Sequence, residues 1–201
     1  MKIICIGKNY VNHAKEMGSE VPKEPLFFLK PDSAILPKKH PFFIPNFSRE
    51  IHYELELLIK IKKLGKHIGK KFASSYYSEI GLGIDFTARD LQNECKINGH
   101  PWEKAKAFDH SAVIGSTFYS INRLNEIHFE LKKNGNLVQQ GNANDMVFNF
   151  DDIIHHVSKF MTLKIGDIIF TGTPEGVGPV KIGDYLEGFL NGNKIIDLNI
   201  K

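Results

Sequence analysis

Runs of β-branched and aromatic residues, many of them alternating with polar ones, recur along the whole chain, whereas helical spacing is confined to three stretches. A period of two puts successive side chains on opposite faces of a strand, so this pattern builds sheets. Strands are expected at Lys2–Ile6, Leu26–Leu29, His52–Ile61, Glu79–Phe86, Glu126–Lys132, Asn136–Asn142, Asp167–Thr171, Asp184–Leu190 and Lys194–Ile200. Asn134-Gly135 and Asn191-Gly192 fall between such runs and signal hairpins. Helices are expected at Tyr10–Met17, Thr87–Ile97 and Asp151–Phe160. The last has Asn149 or Asp151 as a cap and Ile153, Ile154, Val157 and Phe160 at helical spacing. Prolines 22, 25, 31, 37, 41 and 45 crowd residues 19–25 and 31–46. Each fixes φ and removes a ladder donor, so this quarter should be irregular. The expectation is an α+β, mainly β protein with a few flanking helices, in a single domain covering 1–201 and without an internal repeat.

Composition narrows the function. With 42% hydrophobic and 24% charged residues, a chain of 201 residues can bury a sizeable core, so disorder is excluded. The net charge of +3 gives no case for nucleic acid. No apolar run reaches the roughly 18 residues of a membrane span, and the N-terminus resembles neither a signal peptide nor an Arg-rich presequence. Cys5 and Cys95 form no C-x-x-C and fit a reducing compartment, so a cytoplasmic location is expected.

Five segments could carry chemistry. In His52-Tyr53-Glu54-Leu55-Glu56, strand alternation points Glu54 and Glu56 the same way, with Cα atoms ~6.6 Å apart at ~3.3 Å per residue. Two carboxylates so placed can share a hard divalent cation, although a lone E-x-E is more often a solvated strand face. Asp85 ends an apolar run and would make a third oxygen ligand, or simply a loop residue; Thr87 could cap the helix carrying Arg89 and Gln92. His13 and Glu16 are i,i+3 neighbours on a helix, as a surface pair or as an imidazole base oriented by a carboxylate. Lys106, four residues after the only tryptophan, could bind a carboxylate or enolate, or be a solvated loop lysine. Thr171 to Pro179, rich in glycine, could offer backbone N–H groups to an anion or be a plain tight turn. H-E-x-x-H, G-x-S-x-G, the nucleotide P-loop and zinc-type Cys/His spacing are all missing.

In this order the segments GKNYVNHAKEM (7–17), PLFFLKP (25–31), HYELELLIKI (52–61), GIDFTARDLQ (83–92), PWEKAKAFD (101–109) and GDIIFTGTPEGVGPV (166–180) resemble the fumarylacetoacetate hydrolase family, in its small acylpyruvase and oxaloacetate decarboxylase branch. The resemblance implies a mixed β-roll, usually a homodimer. It implies Mg²⁺ or Mn²⁺ held by Glu54, Glu56 and Asp85, His13 and Glu16 as a catalytic dyad, and Lys106, Arg89, Gln92 and Thr173 against a keto-acid substrate. Lys8 also belongs to the substrate-binding set, standing where relatives often carry arginine; lysine meets a carboxylate as a point charge rather than bidentately. The implied activity is metal-dependent hydrolysis of the C–C bond of acylpyruvates to pyruvate and a carboxylic acid, with oxaloacetate decarboxylation at the same site. The alternatives are an isomerase, hydratase or oxaloacetate tautomerase on the same scaffold, and a non-catalytic metal- or carboxylate-binding protein. The implied partner is a small 2-oxo acid, with no nucleic acid and no membrane.

Overall fold

The structure, a computed structural model, describes residues 1–18, 20–121 and 126–201; Ser19, in the proline-rich stretch 19–25, lies outside the described residues. The elements in chain order are β1 (Ile3–Gly7), α1 (Val11–Glu16), β2 (Leu26–Lys30), β3 (Ile51–Tyr53), β4 (Leu55–Ile61), α2 (Lys70–Ala73), β5 (Tyr77–Asp85), β6 (Thr87–Ala88), α3 (Arg89–Asn98), α4 (Glu103–Lys106), β7 (Ala112–Ile114), β8 (Tyr119–Ser120), β9 (His128–Lys133), β10 (Asn136–Asn142), α5 (Phe150–Phe160), β11 (Ile168–Phe170), β12 (Gly178–Pro179), β13 (Tyr185–Leu190) and β14 (Asn193–Asn199). The architecture is mixed and mainly strand, as expected.

Among the described residues the strands form three sheets. A seven-stranded sheet runs β2-β1-β11-β4-β5-β7, with β8 also on β5; a four-stranded sheet runs β10-β9-β13-β14; a three-stranded one runs β12-β3-β6. Only β1 and β11 are parallel in the largest sheet, which accounts for the absence of βαβ periodicity. Both Asn-Gly hairpins form. Asn134 and Gly135 have φ of 53° and 81°, Asn191 and Gly192 47° and 77°, the left-handed pairs that twist two strands correctly.

A four-residue turn is used twice, too short to register as a repeat. In Lys164-Ile-Gly-Asp167 and Lys181-Ile-Gly-Asp184 the aspartate N–H donates to the lysine carbonyl at 3.0 Å. Its carboxylate accepts from the lysine N–H at 2.8 and 2.9 Å respectively. These closed turns launch β11 and β13.

Three expectations shift. The strand expected over His52–Ile61 breaks at Glu54: β3 pairs with β6 and β12, while β4 joins the large sheet. The expected helix Thr87–Ile97 begins only at Arg89, because Thr87 and Ala88 pair with His52 and Ile51. Its N-cap is Ala88, without a side-chain bond, so Thr87 is not the cap. Helix α5 is capped by Asn149, whose side chain accepts from the Asp152 N–H at 3.0 Å, and it buries Ile153, Ile154 and Val157. Phe160, expected on that stripe, is 61% exposed and lies against Phe27 and His156.

Strand β4 is buried on both faces. Leu55, Leu57, Ile59 and Ile61 enter the main core with Ile80, Leu82 and Ile84 of β5. Leu58, on the opposite face, packs with Ile3, Cys5, Ile168 and Phe170 in a smaller cluster. Alternation puts Glu56 on the Leu58 face. The acidic residues therefore stand at the end of an apolar layer, out of water.

Candidate active site

Pairing of β4 with β5 sets Glu56 opposite Gly83, and the Asp85 N–H donates to the Glu54 carbonyl at 2.9 Å. Cross-strand partners share a face. Glu54, Glu56 and Asp85 thus converge, with ligand oxygens all within 4.8 Å of one another and each side chain buried. The solvated acidic face, the ordinary reading of E-x-E, does not occur.

Three cations answer two of these carboxylates, Glu54 and Asp85. Arg89 Nη2 donates to Glu54 Oε1 at 2.6 Å, and Lys106 Nζ lies 2.8 Å from both Glu54 Oε2 and Asp85 Oδ2. Lys30 Nζ stands 2.8 Å from Asp85 Oδ1, off the direction of a hydrogen bond, and donates to Ser111 Oγ and the Lys106 carbonyl. Thr87 donates its hydroxyl proton to Glu54 Oε1 at 2.8 Å and accepts from Lys106. Burial works against ionised Glu54, but the charges of Lys106 and Arg89 hold its carboxyl well below the usual range. Burial likewise opposes the Lys106 ammonium, and Asp85 and Glu54 more than restore it.

Glu56 differs from its neighbours. Its carboxylate accepts from the Gly172 N–H at 2.6 Å. Burial first, then Asp85 and Glu54, push its carboxyl far above the ordinary value. Gly172 has φ of +99°, and a Cβ there would come within 2.7 Å of the Asn9 Cβ, so glycine is needed to aim this N–H at Glu56. Among the described residues the donor set is three carboxylates with no nitrogen or sulfur ligand, which fits a hard ion such as Mg²⁺ or Mn²⁺ and not zinc or copper. A buried carboxyl disfavoured as an anion by two others is what a divalent cation would relieve.

The His13–Glu16 pair stands beside this triad. His13 Nδ1 lies 3.1 Å from Glu16 Oε2. A carboxylate only accepts, so Nδ1 carries the proton; in the neutral imidazole Nε2 is then the nitrogen left to accept one. Glu16 also accepts from the Gly176 N–H at 3.1 Å, and Asn12 donates to Glu175 at 3.2 Å, fastening α1 to the 171–179 segment. The N–H groups expected to face an anionic ligand thus meet the protein's own carboxylates, Glu56 and Glu16.

Lys8, His13, Glu54, Glu56, Asp85, Arg89, Gln92, Lys106 and Thr173 line one cavity, together with Lys96, Phe28 and Trp102. Glu16 lies behind His13, outside the lining. Every candidate catalytic, substrate-binding and metal-ligating residue of the sequence except Glu16 therefore lines this cavity. The solvated-loop reading of Lys106 does not hold, since it is 3% exposed.

Lys96, Lys30 and Gln139 escaped the sequence reading. Lys30 is 1% exposed, at the end of the apolar strand LFFLK, and a lysine in such a strand was the available signal. Gln139 gave none, because its bonds span 84 and 34 positions in the chain. Its Oε1 accepts from the Leu55 N–H at 2.9 Å, and its Nε2 donates to Thr173 Oγ1 at 2.9 Å and to the Pro174 carbonyl at 3.0 Å. Thr173 in turn donates to the Leu55 carbonyl at 2.8 Å. Gln139 thereby clamps the residue between Glu54 and Glu56 to the glycine-rich segment. Gln139→Leu leaves these groups buried without partners and should cost about 2–3 kcal/mol of stability. It should also weaken Mn²⁺ binding about tenfold or more; urea unfolding and calorimetric titration of the metal check both.

The fold and this site define a family: the chain belongs to the fumarylacetoacetate hydrolase family, and residues 2–200 match the domain described as "Fumarylacetoacetate (FAA) hydrolase C-terminal". Particular relatives are similar over most of their length. Mitochondrial oxaloacetate tautomerase FAHD1 of Bos taurus is 42% identical over 193 residues, 94% of this chain and 87% of that protein. Mitochondrial oxaloacetate decarboxylase of Dictyostelium discoideum is 42% identical over 194 residues, 95% and 89% of the two chains. The crystal structure of fumarylpyruvate hydrolase from Pseudomonas aeruginosa, in complex with Mn²⁺ and pyruvate, superposes with a TM-score of 0.92 at 33% identity, covering 100% of this chain and 89% of that one. Among the described residues no helix is long and apolar enough to cross a membrane.

Proposed function

We propose that this protein hydrolyses the C–C bond of acylpyruvates, releasing pyruvate and a carboxylic acid, with Mg²⁺ or Mn²⁺ held by Glu54, Glu56 and Asp85. The carrying observation is His13 on the wall of the cavity that holds three buried carboxylates, with Glu16 3.1 Å behind it. A protein that only binds a metal or a carboxylate has no use for an oriented base. The ion, when bound, supplies Lewis acidity toward the keto and carboxylate oxygens of a 2-oxo acid. His13 Nε2 takes a proton from water, whose oxygen bonds to the distal carbonyl carbon. The bond between that carbon and the pyruvyl CH₂ breaks, and its electron pair becomes the pyruvate enolate, which takes up a proton. Glu16 keeps the imidazole in the required tautomer and steadies the imidazolium. Lys106 lies where its charge favours the enolate oxygen, and Arg89, Gln92, Thr173 and Lys8 position the 2-oxo acid.

A second reading, conversion of oxaloacetate at the same site, is favoured by 42% identity to an oxaloacetate tautomerase and an oxaloacetate decarboxylase. Decarboxylation needs no nucleophilic water, and tautomerisation needs only proton transfer. The same proposal takes residues 1–201 as one catalytic unit acting as a homodimer. It places the protein in the cytoplasm, in keeping with the free thiols of Cys5 and Cys95. Proton NMR of acetylpyruvate with enzyme and Mg²⁺ tests the main reading. Acetate and pyruvate should appear in equal amounts; keto–enol exchange without pyruvate would assign the site to isomerisation.

A further inference from the structure

The cavity carries more positive charge than its acidic residues and a monocarboxylate ligand can balance. Lys30, Arg89 and Lys106, paired with Glu54 and Asp85, match the three carboxylates in number, so the charge of a bound divalent ion is left for the ligand. Two further lysines line the same space. Lys8 follows β1 with φ of +60°, a left-handed conformation that is uncommon outside glycine and asparagine and that gathers at functional sites. Lys96 comes from α3, on the face that carries Arg89 and Gln92 at i, i+3 and i+7. Among the described residues neither lysine side chain has an ion-pair or hydrogen-bond partner. They do feel one another: partial burial, then Arg89 and Lys8, bring the Lys96 ammonium below the usual lysine value. Two like charges on one cavity wall, neither paired to a carboxylate, favour an anionic ligand.

The helix sets the spacing. Seven residues at 1.5 Å each put the Lys96 Cα ~10 Å along α3 from that of Arg89, which is bonded to the metal ligand Glu54. Side chains on a helix lean toward its N-terminus, so the lysine stem reaches back over this span toward the cavity.

We propose that Lys8 and Lys96 form a second anion subsite, which holds the distal carboxylate of a 2-oxo dicarboxylic acid and selects diacids over 2-oxo acids with apolar tails. This rests on the reading of the site as one for 2-oxo acids and adds to it which ones. The test uses 2-oxoglutarate and 2-oxopentanoate, which lack the C–C bond to be cleaved and differ in whether the distal carbon is a carboxylate or a methyl group. Each is titrated calorimetrically into the Mn²⁺-loaded protein. The wild type should bind 2-oxoglutarate about tenfold or more tightly than 2-oxopentanoate. Lys96→Met, which keeps the apolar stem, should erase most of that difference by weakening 2-oxoglutarate alone, and Lys96→Arg should retain it. Lys8→Asn, which tolerates the left-handed backbone, should weaken 2-oxoglutarate more than 2-oxopentanoate. Equal affinities in the wild type, or variants that weaken both ligands alike, would overturn the subsite while leaving the 2-oxo acid reading standing. Binding of neither ligand would overturn both.

Discussion

Glu56→Gln is expected to abolish measurable turnover and to weaken Mn²⁺ binding by more than about 100-fold, since even outer-shell partners of metal ligands contribute 10–100-fold. The same substitution should leave the metal-free protein at least as stable as the wild type. Glutamine keeps an oxygen to accept from the Gly172 N–H and removes a carboxyl that burial, Asp85 and Glu54 all disfavour as an anion. A carboxyl whose folded pKa lies above its unfolded value of about 4.3 favours folding while protonated, and that benefit is lost as pH rises. Without metal, the advantage of the variant over the wild type should therefore grow from about pH 4 upward. Thermal unfolding across that range, with and without Mn²⁺, measures both. Added metal should reverse the order, because only the wild type gains from binding. Loss of stability without metal would instead make Glu56 a structural residue.

His13→Ala is the second large effect. Removing a positioned general base typically costs 10²–10⁴-fold, so acylpyruvate hydrolysis should fall by about that factor. Oxaloacetate decarboxylation at the same site should fall by less than about tenfold, as CO₂ leaves without attack by water. The substitution should spare Mn²⁺ affinity, since no ligand is removed. Paired assays on one preparation give the ratio directly. Equal losses on the two substrates would remove His13 from water activation and assign it to binding. Glu16→Gln should fall between His13→Ala and the wild type, because His13 loses a charged partner while the amide oxygen can still accept from Nδ1 and the Gly176 N–H.

The two turns and the site were legible in the sequence for different reasons. Asn134-Gly135 and Asn191-Gly192 declare themselves locally, because few residue pairs adopt two successive left-handed conformations. The site was legible because its side chains are chemically specialised and occur in a specific order. How the chain holds them was not. Glu54 occupies the break between β3 and β4, and the break arises from β3 pairing with β6 and β12, which no local pattern encodes. Thr87 reads as a helix cap by residue type, yet its hydroxyl reaches Glu54, 33 positions earlier. Gln139 reads as one more polar residue of a hairpin strand, and only the approach of that strand to Leu55 and Thr173 buries it. Short strands such as β7, β8 and β12 carry too few residues for periodicity and exist through their pairings. Charge balance was also hidden: a net charge of +3 conceals a cavity in which five cationic side chains surround or support three carboxylates.

In the proposed reaction Glu54, Glu56 and Asp85 hold one divalent ion on which C–C cleavage depends. Titrating Mn²⁺ into chelator-stripped protein while following pyruvate release from acetylpyruvate tests it most directly. The rate should start at background and saturate at one Mn²⁺ per chain, with Glu56→Gln flat throughout. Pyruvate release from the metal-free protein, or saturation of Glu56→Gln at the wild-type stoichiometry, would contradict it.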